Sequence, residues 1–314
     1  MKGMNRKPSE YSQPQPVGHL LEFDWLAIGY LSLTGLFFLF YAFEGVQYLQ
    51  FGVIHWIIIT LIYWLGTRKP LPHPMQILRF CYPVLLLMLI YYEVYMLSQL
   101  IYESSAHFDT LILEWEATLL GGHPHRYWFQ LLDGQIWAEL FHLMYLAYYP
   151  LLIGSYLYVW GYRTYDLNRF AFVYLGIFIT FSVIFAAFPV HGPVAFREIH
   201  LNDAGFFSRV VDVLFVIGES PGGAFPSSHV GQSVGIFFLL RPLNRKIGLL
   251  IWAIILGIAL GMIYGSIHYT LDAIAGLLAG WLFYLIWNNV YLLVATEQYS
   301  YAYKQKQAMD ETIT

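Results

Sequence analysis

Apolar runs close to bilayer length recur eight times in this chain, and they decide what it can fold into. About twenty apolar residues span the hydrocarbon core as a helix. The runs cover Trp25–Phe43, Phe51–Leu65, Phe80–Ile101, Ile136–Trp160, Ala171–Phe188, Ser228–Leu240, Ile247–Tyr264 and Leu271–Val294, the second and sixth being the shortest. No soluble domain fits between them. The expected architecture is therefore all-α, a polytopic membrane helical bundle of about eight transmembrane helices. Residues 25–295 form its membrane domain, with tails at 1–24 and 296–314. The chain is 58% hydrophobic and 11% charged, where a soluble domain carries about 25% charge. Its 26 Tyr and 10 Trp suit helices that end at membrane interfaces. The polar start, MKGMNRKPSEYSQPQPVGH, does not read as a cleavable signal peptide. One cysteine, Cys81, allows neither an internal disulfide nor a cysteine metal cluster. Two longer interruptions, 102–135 and 189–227, contain weakly amphipathic pieces, LILEWEATLL and FFSRVVDVLFVIG. These are expected at the interface or as re-entrant helices.

The basic residues orient the bundle. With the N-terminus in the cytoplasm, one side holds Lys2, Arg6, Lys7, Arg68, Lys69, Arg79, Arg163, Arg169, Arg241, Arg245, Lys246, Lys304 and Lys306. Only Arg126, Arg197 and Arg209 remain for the other side. That asymmetry follows the positive-inside pattern. Both termini are then expected in the cytoplasm, in a bacterium beneath the inner membrane.

The loop GGAFPSSHVGQS, residues 222–233, then lies at the outer entrance of the sixth run. A helical hairpin later, GSIHYTLDAIAG, residues 265–276, returns to the same face. His229 and His268 therefore meet at one depth, although 39 positions separate them. Asp272 follows His268 by four residues and shares its helix face. A carboxylate so placed holds one imidazole nitrogen, fixes the tautomer and leaves the other nitrogen as a nucleophile. No acidic residue follows His229 at that spacing. His229 instead stands at a helix start behind Ser227 and Ser228, where backbone N–H groups and hydroxyls suit a phosphoryl oxygen. Gly222 and Gly223 allow close approach of the loop. A zinc site built on His and Asp needs three ligands, but no HExxH string is present. The serine-rich helix start favours an anion over a cation.

These strings resemble the type 2 phosphatidic acid phosphatase superfamily of integral membrane enzymes, nearest its inositolphosphorylceramide synthase-like branch. The family's PSGH-type motif has its counterpart in Pro226, Ser227, Ser228 and His229, and its His-xxx-Asp motif in His268 and Asp272. HYTLD is also similar to the corresponding part of sphingomyelin synthases. The resemblance spans roughly residues 189–285. It implies a helical core with the site at one membrane face. It also implies that His268 is the phosphorylated nucleophile, Asp272 its orienting carboxylate and His229 the acid/base. Two parts of the family pattern are missing. There is no KxxxxxxRP string, and Met262 occupies the position of the arginine six residues before the second histidine.

A transferring phosphoryl group gathers charge on its oxygens and requires cations or donors nearby. On the catalytic side Arg197, in FPVHGPVAFREIH, is the best placed. Arg126, in GGHPHRYW, and Arg209, at the start of an amphipathic stretch, are the other candidates. His191 shares the Arg197 loop and either binds substrate or sits at the interface. Glu139 and His142 either pair with each other, line the pocket or bond between helices, and Glu93 raises the same question. Tyr264 and Tyr269 are candidates for the headgroup pocket.

The expected activity is a lipid phosphate or pyrophosphate phosphatase working through phosphohistidine. If an alcohol replaces water as acceptor, the same first step gives a phosphotransferase. A transporter or scaffold retaining an inactive pocket is the alternative outside enzymology. The partner is a membrane lipid with a phosphate or phosphodiester headgroup. No cofactor or metal is required. Scattered basic residues, with no stripe among them, argue against nucleic acid.

Overall fold

The computed structural model describes residues 19–68, 71–102, 107–162, 167–194, 196–197, 205–218, 222–242 and 244–311. They are helical almost throughout. The helices are α1 (Glu22–Phe40), α2 (Val46–Thr67), α3 (His73–Ile101), α4 (Asp109–Leu120), α5 (Trp128–Leu131), α6 (Gln135–Leu146), α7 (Tyr148–Tyr162), α8 (Leu167–Ala187), α9 (Phe206–Gly218), α10 (Ser228–Leu240), α11 (Arg245–Tyr264) and α12 (Thr270–Glu311). A 3-10 turn, Pro124–Arg126, precedes α5.

Among the described residues, seven of the apolar segments are long enough to cross a membrane. The eighth, α10, has 13 residues. At 1.5 Å per residue it reaches about 20 Å, short of a hydrocarbon core of about 30 Å. The expected fourth span consists of α6 and α7, which adjoin at Ala147. The second run extends beyond its apolar stretch to 22 residues, because polar Gln47 and Gln50 are tolerated in its first turns. The third begins at His73, before Phe80, for the same reason. Both amphipathic interruptions are helical, as α4 and α9.

The chain divides into two units. The first comprises residues up to Leu85, Tyr156–Leu175 and the chain from Ile286 onward. Here α1 packs on α2 through small residues. A Cβ on Gly35 would stand 2.8 Å from the Cβ of His55, and one on Gly52 would meet Leu39 at 2.6 Å. Asp24 is fully buried. It accepts hydrogen bonds from the Arg79 guanidinium, the Tyr82 hydroxyl and the Leu21 backbone N–H. A buried charge persists only when paired in this way.

The second unit comprises Leu86–Ser155 and Gly176–Leu285. Its core depends on backbone contact between α10 and the start of α12. A Cβ on Gly280 would lie 2.4 Å from the carbonyl oxygen of Gly231, and one on Gly276 would lie 2.6 Å from that of Ser227. A Cβ on Gly231 would in turn stand 2.2 Å from the Phe181 ring. Gly276 and Gly280 are spaced as a GxxxG pair, which lets helix backbones approach closely in lipid. Along α11, Gly261 plays the same part against α6, where a Cβ would meet the Phe141 carbonyl at 2.3 Å. Because the obstruction at Gly280 is backbone, no rotamer change can relieve it. Gly280→Ala is expected to destabilise the protein by about 1–3 kcal/mol, the usual cost of overpacking. It should show as a lower thermal midpoint in detergent; an unchanged midpoint would mean that α10 and α12 are not in this contact.

Candidate functional site

The close packing of α10 on α12 brings together the residues singled out by spacing. His268 precedes α12 in a tight turn in which Ser266 has φ 47°. Its Nδ1 lies 3.1 Å from Asp272 Oδ2 and 3.0 Å from the Ala224 carbonyl. Both neighbours are acceptors, so Nδ1 carries the hydrogen. In the neutral ring, Nε2 then keeps its lone pair. Asp272 is fully buried. Its Oδ2 also accepts the Tyr269 N–H at 2.9 Å, and its backbone carbonyl accepts the Ser227 N–H at 3.0 Å. The same residue thus orients His268 and ties α12 to the start of α10.

His229 is the second residue of α10, in the turn whose N–H groups lack intrahelical partners. Ser227 caps that helix, its Oγ accepting the Val230 N–H at 3.4 Å. Ser228 is the first helical residue and is buried. The His229 and His268 rings have centroids 6.0 Å apart and planes inclined at 71°. Three tyrosines surround His229, with centroids at 4.5 Å (Tyr148), 5.2 Å (Tyr145) and 6.2 Å (Tyr149). The Tyr145 hydroxyl is 3.3 Å from His229 Nε2. His229 Nδ1 is buried and makes no hydrogen bond among the described residues.

Loop contacts hold this arrangement. Val190 and Gly223 form an isolated parallel bridge, with Val190 N–H donating to Gly222 and Ala224 N–H to Val190. That bridge fixes the Ala224 carbonyl that receives His268. Gly222, at φ 105°, has the left-handed backbone the turn requires. Asp109 accepts the N–H groups of His191 and Gly192 at 2.9 and 2.8 Å, and the Tyr269 hydroxyl at 2.9 Å. Burial, together with the adjacent Asp109 carboxylate, pushes the Tyr269 hydroxyl well above its usual pKa. Glu116 receives the Thr270 N–H at 2.7 Å, at the first residue of α12. It also lies 3.1 Å from Nδ1 of both His123 and His125.

Burial alone would raise the Glu116 pKa, but His125, the Thr270 N–H and His123 outweigh it and hold the carboxyl below its ordinary 4.5. A depressed carboxylate stabilises the fold above its unfolded pKa, and that contribution disappears as pH falls through the folded value. Glu116→Gln is therefore expected to lower stability at neutral pH. The gap to the parent should close in acid, below the depressed value. A gap that persists or widens there would refute this role.

The three outer arginines have different surroundings. Arg197 is buried and its donors are directed at protein acceptors. They reach His142 Nε2 at 2.7 Å, the Gly265 carbonyl at 2.9 Å, Asp212 at 2.6 Å and Ser208 Oγ at 3.5 Å. It braces the turn three residues before His268. Arg126 is exposed, with its guanidinium 5.9 Å from the Phe196 ring centroid. Arg209 is exposed on α9, and His191 is exposed with its ring 5.4 Å from that of His107. The structure thus joins His229, His268, Asp272 and Ser227 directly, and Arg197 through Gly265.

Glu139 and His142 are drawn to different partners. Glu139 accepts the Phe207 and Ser208 N–H groups at 3.0 and 3.2 Å, an anion at the start of α9 where the helix dipole favours it. His142 bonds the Ala138 carbonyl through Nδ1 at 2.5 Å and leaves Nε2 to Arg197. Tyr264 donates to the Leu132 carbonyl at 2.9 Å, so it and Tyr269 tie loops together. Tyr145, Tyr148 and Tyr149 had no signal in a chain with 26 tyrosines. The small residues Ser227 and Gly231, facing Gly276 and Gly280, were the readable sign that α10 and α12 touch.

A family model described as the PAP2 superfamily matches residues 110–286. That segment is more than half of the chain and contains Ser227, Ser228, His229, His268 and Asp272, as well as Arg126, His191, Arg197 and Arg209. No curated protein and no solved structure matches.

Proposed function

From the premise that the chain belongs to the PAP2 superfamily, we propose that it is an integral membrane enzyme that removes phosphate from a lipid phosphoester through a phosphohistidine. Membership supports phosphatase- or phosphotransferase-type chemistry on a lipid, and several long apolar helices support membrane residence. The observation that carries the finer reading is the tautomer imposed on His268. With Nδ1 bonded to Asp272 and Ala224, Nε2 is the free nucleophile.

His268 Nε2 attacks phosphorus, and the bond to the lipid oxygen breaks. His229 gives a proton to the departing oxygen. Asp272 offsets the positive charge that develops on the His268 ring. Water then attacks the phosphohistidine, His229 takes its proton, and inorganic phosphate leaves Nε2. The first-turn amides of α10, with Ser228, supply donors to the phosphoryl oxygens. Arg126, Arg209 and His191 are assigned to contacts with the lipid headgroup. Arg197 acts by holding the turn before His268.

The saturation of Arg197 favours a second reading. Without a free cation at the histidine pair among the described residues, a phosphodiester with one negative charge is a better substrate than a doubly charged monoester. The acceptor is then a lipid or polyol hydroxyl, as in inositolphosphorylceramide synthase-like enzymes. A radiolabelled phospholipid offered with candidate alcohols separates the two. Label in inorganic phosphate supports hydrolysis, label in a new lipid supports transfer, and label in neither product defeats both.

The distribution of Lys and Arg supports cytoplasmic termini and a site at the extracytoplasmic face. A reporter fused after Thr314 should read as cytoplasmic; an extracytoplasmic readout would invert the assigned face.

A further inference from the structure

The tyrosines around His229 belong to one short segment, the end of α6 and the start of α7, and one of them reaches the imidazole through its hydroxyl. We infer that Tyr145 is a positioning residue that keeps His229 protonated at Nε2, so that the exchangeable proton resides at Nδ1. This rests on the proposed reading of His229 as the acid/base.

Two observations carry the inference. The Tyr145 oxygen is 3.3 Å from His229 Nε2. His229 Nδ1 is buried and makes no hydrogen bond among the described residues. A buried N–H without an acceptor is rarer than a buried acceptor without a donor. The neutral imidazole therefore keeps its proton on Nε2, where the Tyr145 oxygen accepts it. The neutral ring carries its lone pair at Nδ1, and the charged ring gains its second proton there. Tyr145 accepts the same Nε2–H bond in both states, so the ring need not turn as it releases and recovers a proton.

The backbone makes this placement rigid. Gly261 of α11 presses on the Phe141 carbonyl and the Tyr145 N–H, where a Cβ would stand 2.3 and 2.8 Å away. Tyr145 is itself buried. The Tyr148 ring, with its centroid 4.5 Å from that of His229 and its plane inclined at 67°, confines the imidazole from a second side. The other histidine of the site, His268, has its ring 6.0 Å away and is fixed by Asp272. Tyr145 thereby does for His229 what Asp272 does for His268, with a neutral acceptor in place of a carboxylate. The difference fits the two tasks. A carboxylate would hold a proton on His229, whereas a phenol oxygen lets the ring cycle between charge states.

The experiment uses the full-length protein in detergent, labelled with nitrogen isotope at histidine. Two-bond nitrogen–proton correlations distinguish imidazole tautomers, and loss of a signal in His229→Ala assigns it. The expected result is the Nε2–H tautomer in the parent and a mixture or the opposite tautomer in Tyr145→Phe. An Nδ1–H tautomer in the parent, or an unchanged signal in Tyr145→Phe, would overturn the inference. Kinetics supply the functional readout. Phosphorylation of His268 is followed with dioctanoyl phosphatidic acid, an alkyl leaving group, and with para-nitrophenyl phosphate, a good one. Tyr145→Phe should lose about tenfold or more with the first and clearly less with the second, within the range of general acid effects. It should add little to His229→Ala, because the two act as one unit. Equal losses on both substrates would assign Tyr145 a structural role only. If His229→Ala itself shows no leaving-group dependence while the tautomer result holds, the acid/base reading of His229 fails and the Tyr145 contact stands.

Discussion

His268→Ala should abolish turnover, by about 10⁴-fold or more, while the protein still solubilises and elutes as the parent does. Removing a nucleophile eliminates the covalent route, and what remains is binding and oriented donors. The substitution is structurally mild. His268 lies before α12, and among the described residues its ring bonds through Nδ1 alone, to Asp272 and Ala224. The backbone bonds of the turn, including Ile267 N–H and His268 N–H to the Met262 carbonyl, do not depend on the side chain. Rate on a phospholipid, together with elution volume and thermal midpoint, checks the prediction. A variant that keeps a tenth of parental activity would show that the phosphoryl group is carried elsewhere or by no residue.

Asp272→Asn should lower the rate about 10²- to 10⁴-fold without comparable loss of stability. The amide keeps the size of the carboxylate and can still accept the Tyr269 N–H. The backbone bond from Ser227 N–H to the Asp272 carbonyl is untouched. What changes is the charge beside His268 Nδ1, and an amide nitrogen turned toward the ring would force the wrong tautomer. Loss of the corresponding carboxylate in a Ser-His-Asp triad has an effect at the upper end of this range. Asp272→Ala should be worse on both counts, since Tyr269 N–H would lose a buried acceptor. Equal activity of Asp272→Asn and the parent would remove Asp272 from the chemistry and leave it as a brace between α10 and α12.

The sequence made the histidine pair legible because two periodicities could be read together. Apolar run lengths set the depth of His229 and His268, and the i, i+4 spacing set the face shared by His268 and Asp272. Segments such as α4 and α9 were visible as amphipathic patches, although their bounds came only with the structure. Charge counting was less informative at the site. Arg197 was identified as the best-placed cation, but its partners Asp212, Ser208 and His142 lie on α9 and α6, and no local pattern predicts that these elements converge. Glu139 and His142 illustrate the same limit. Three residues apart on one helix, they bond to different segments. Tyr145 was hidden for another reason. In a chain rich in interfacial tyrosine, one hydroxyl beside a histidine becomes visible only when α6 is packed against α11.

The central claim is that phosphate passes through His268. The measurement that tests it most directly is a brief reaction with a radiolabelled phospholipid, quenched in alkali, where phosphohistidine survives, followed by proteolysis and mapping of the labelled peptide. The account requires label on the peptide containing His268 in the parent, and none in His268→Ala. Label on the peptide containing His229, or no labelled peptide from an enzyme that is turning over, would contradict it.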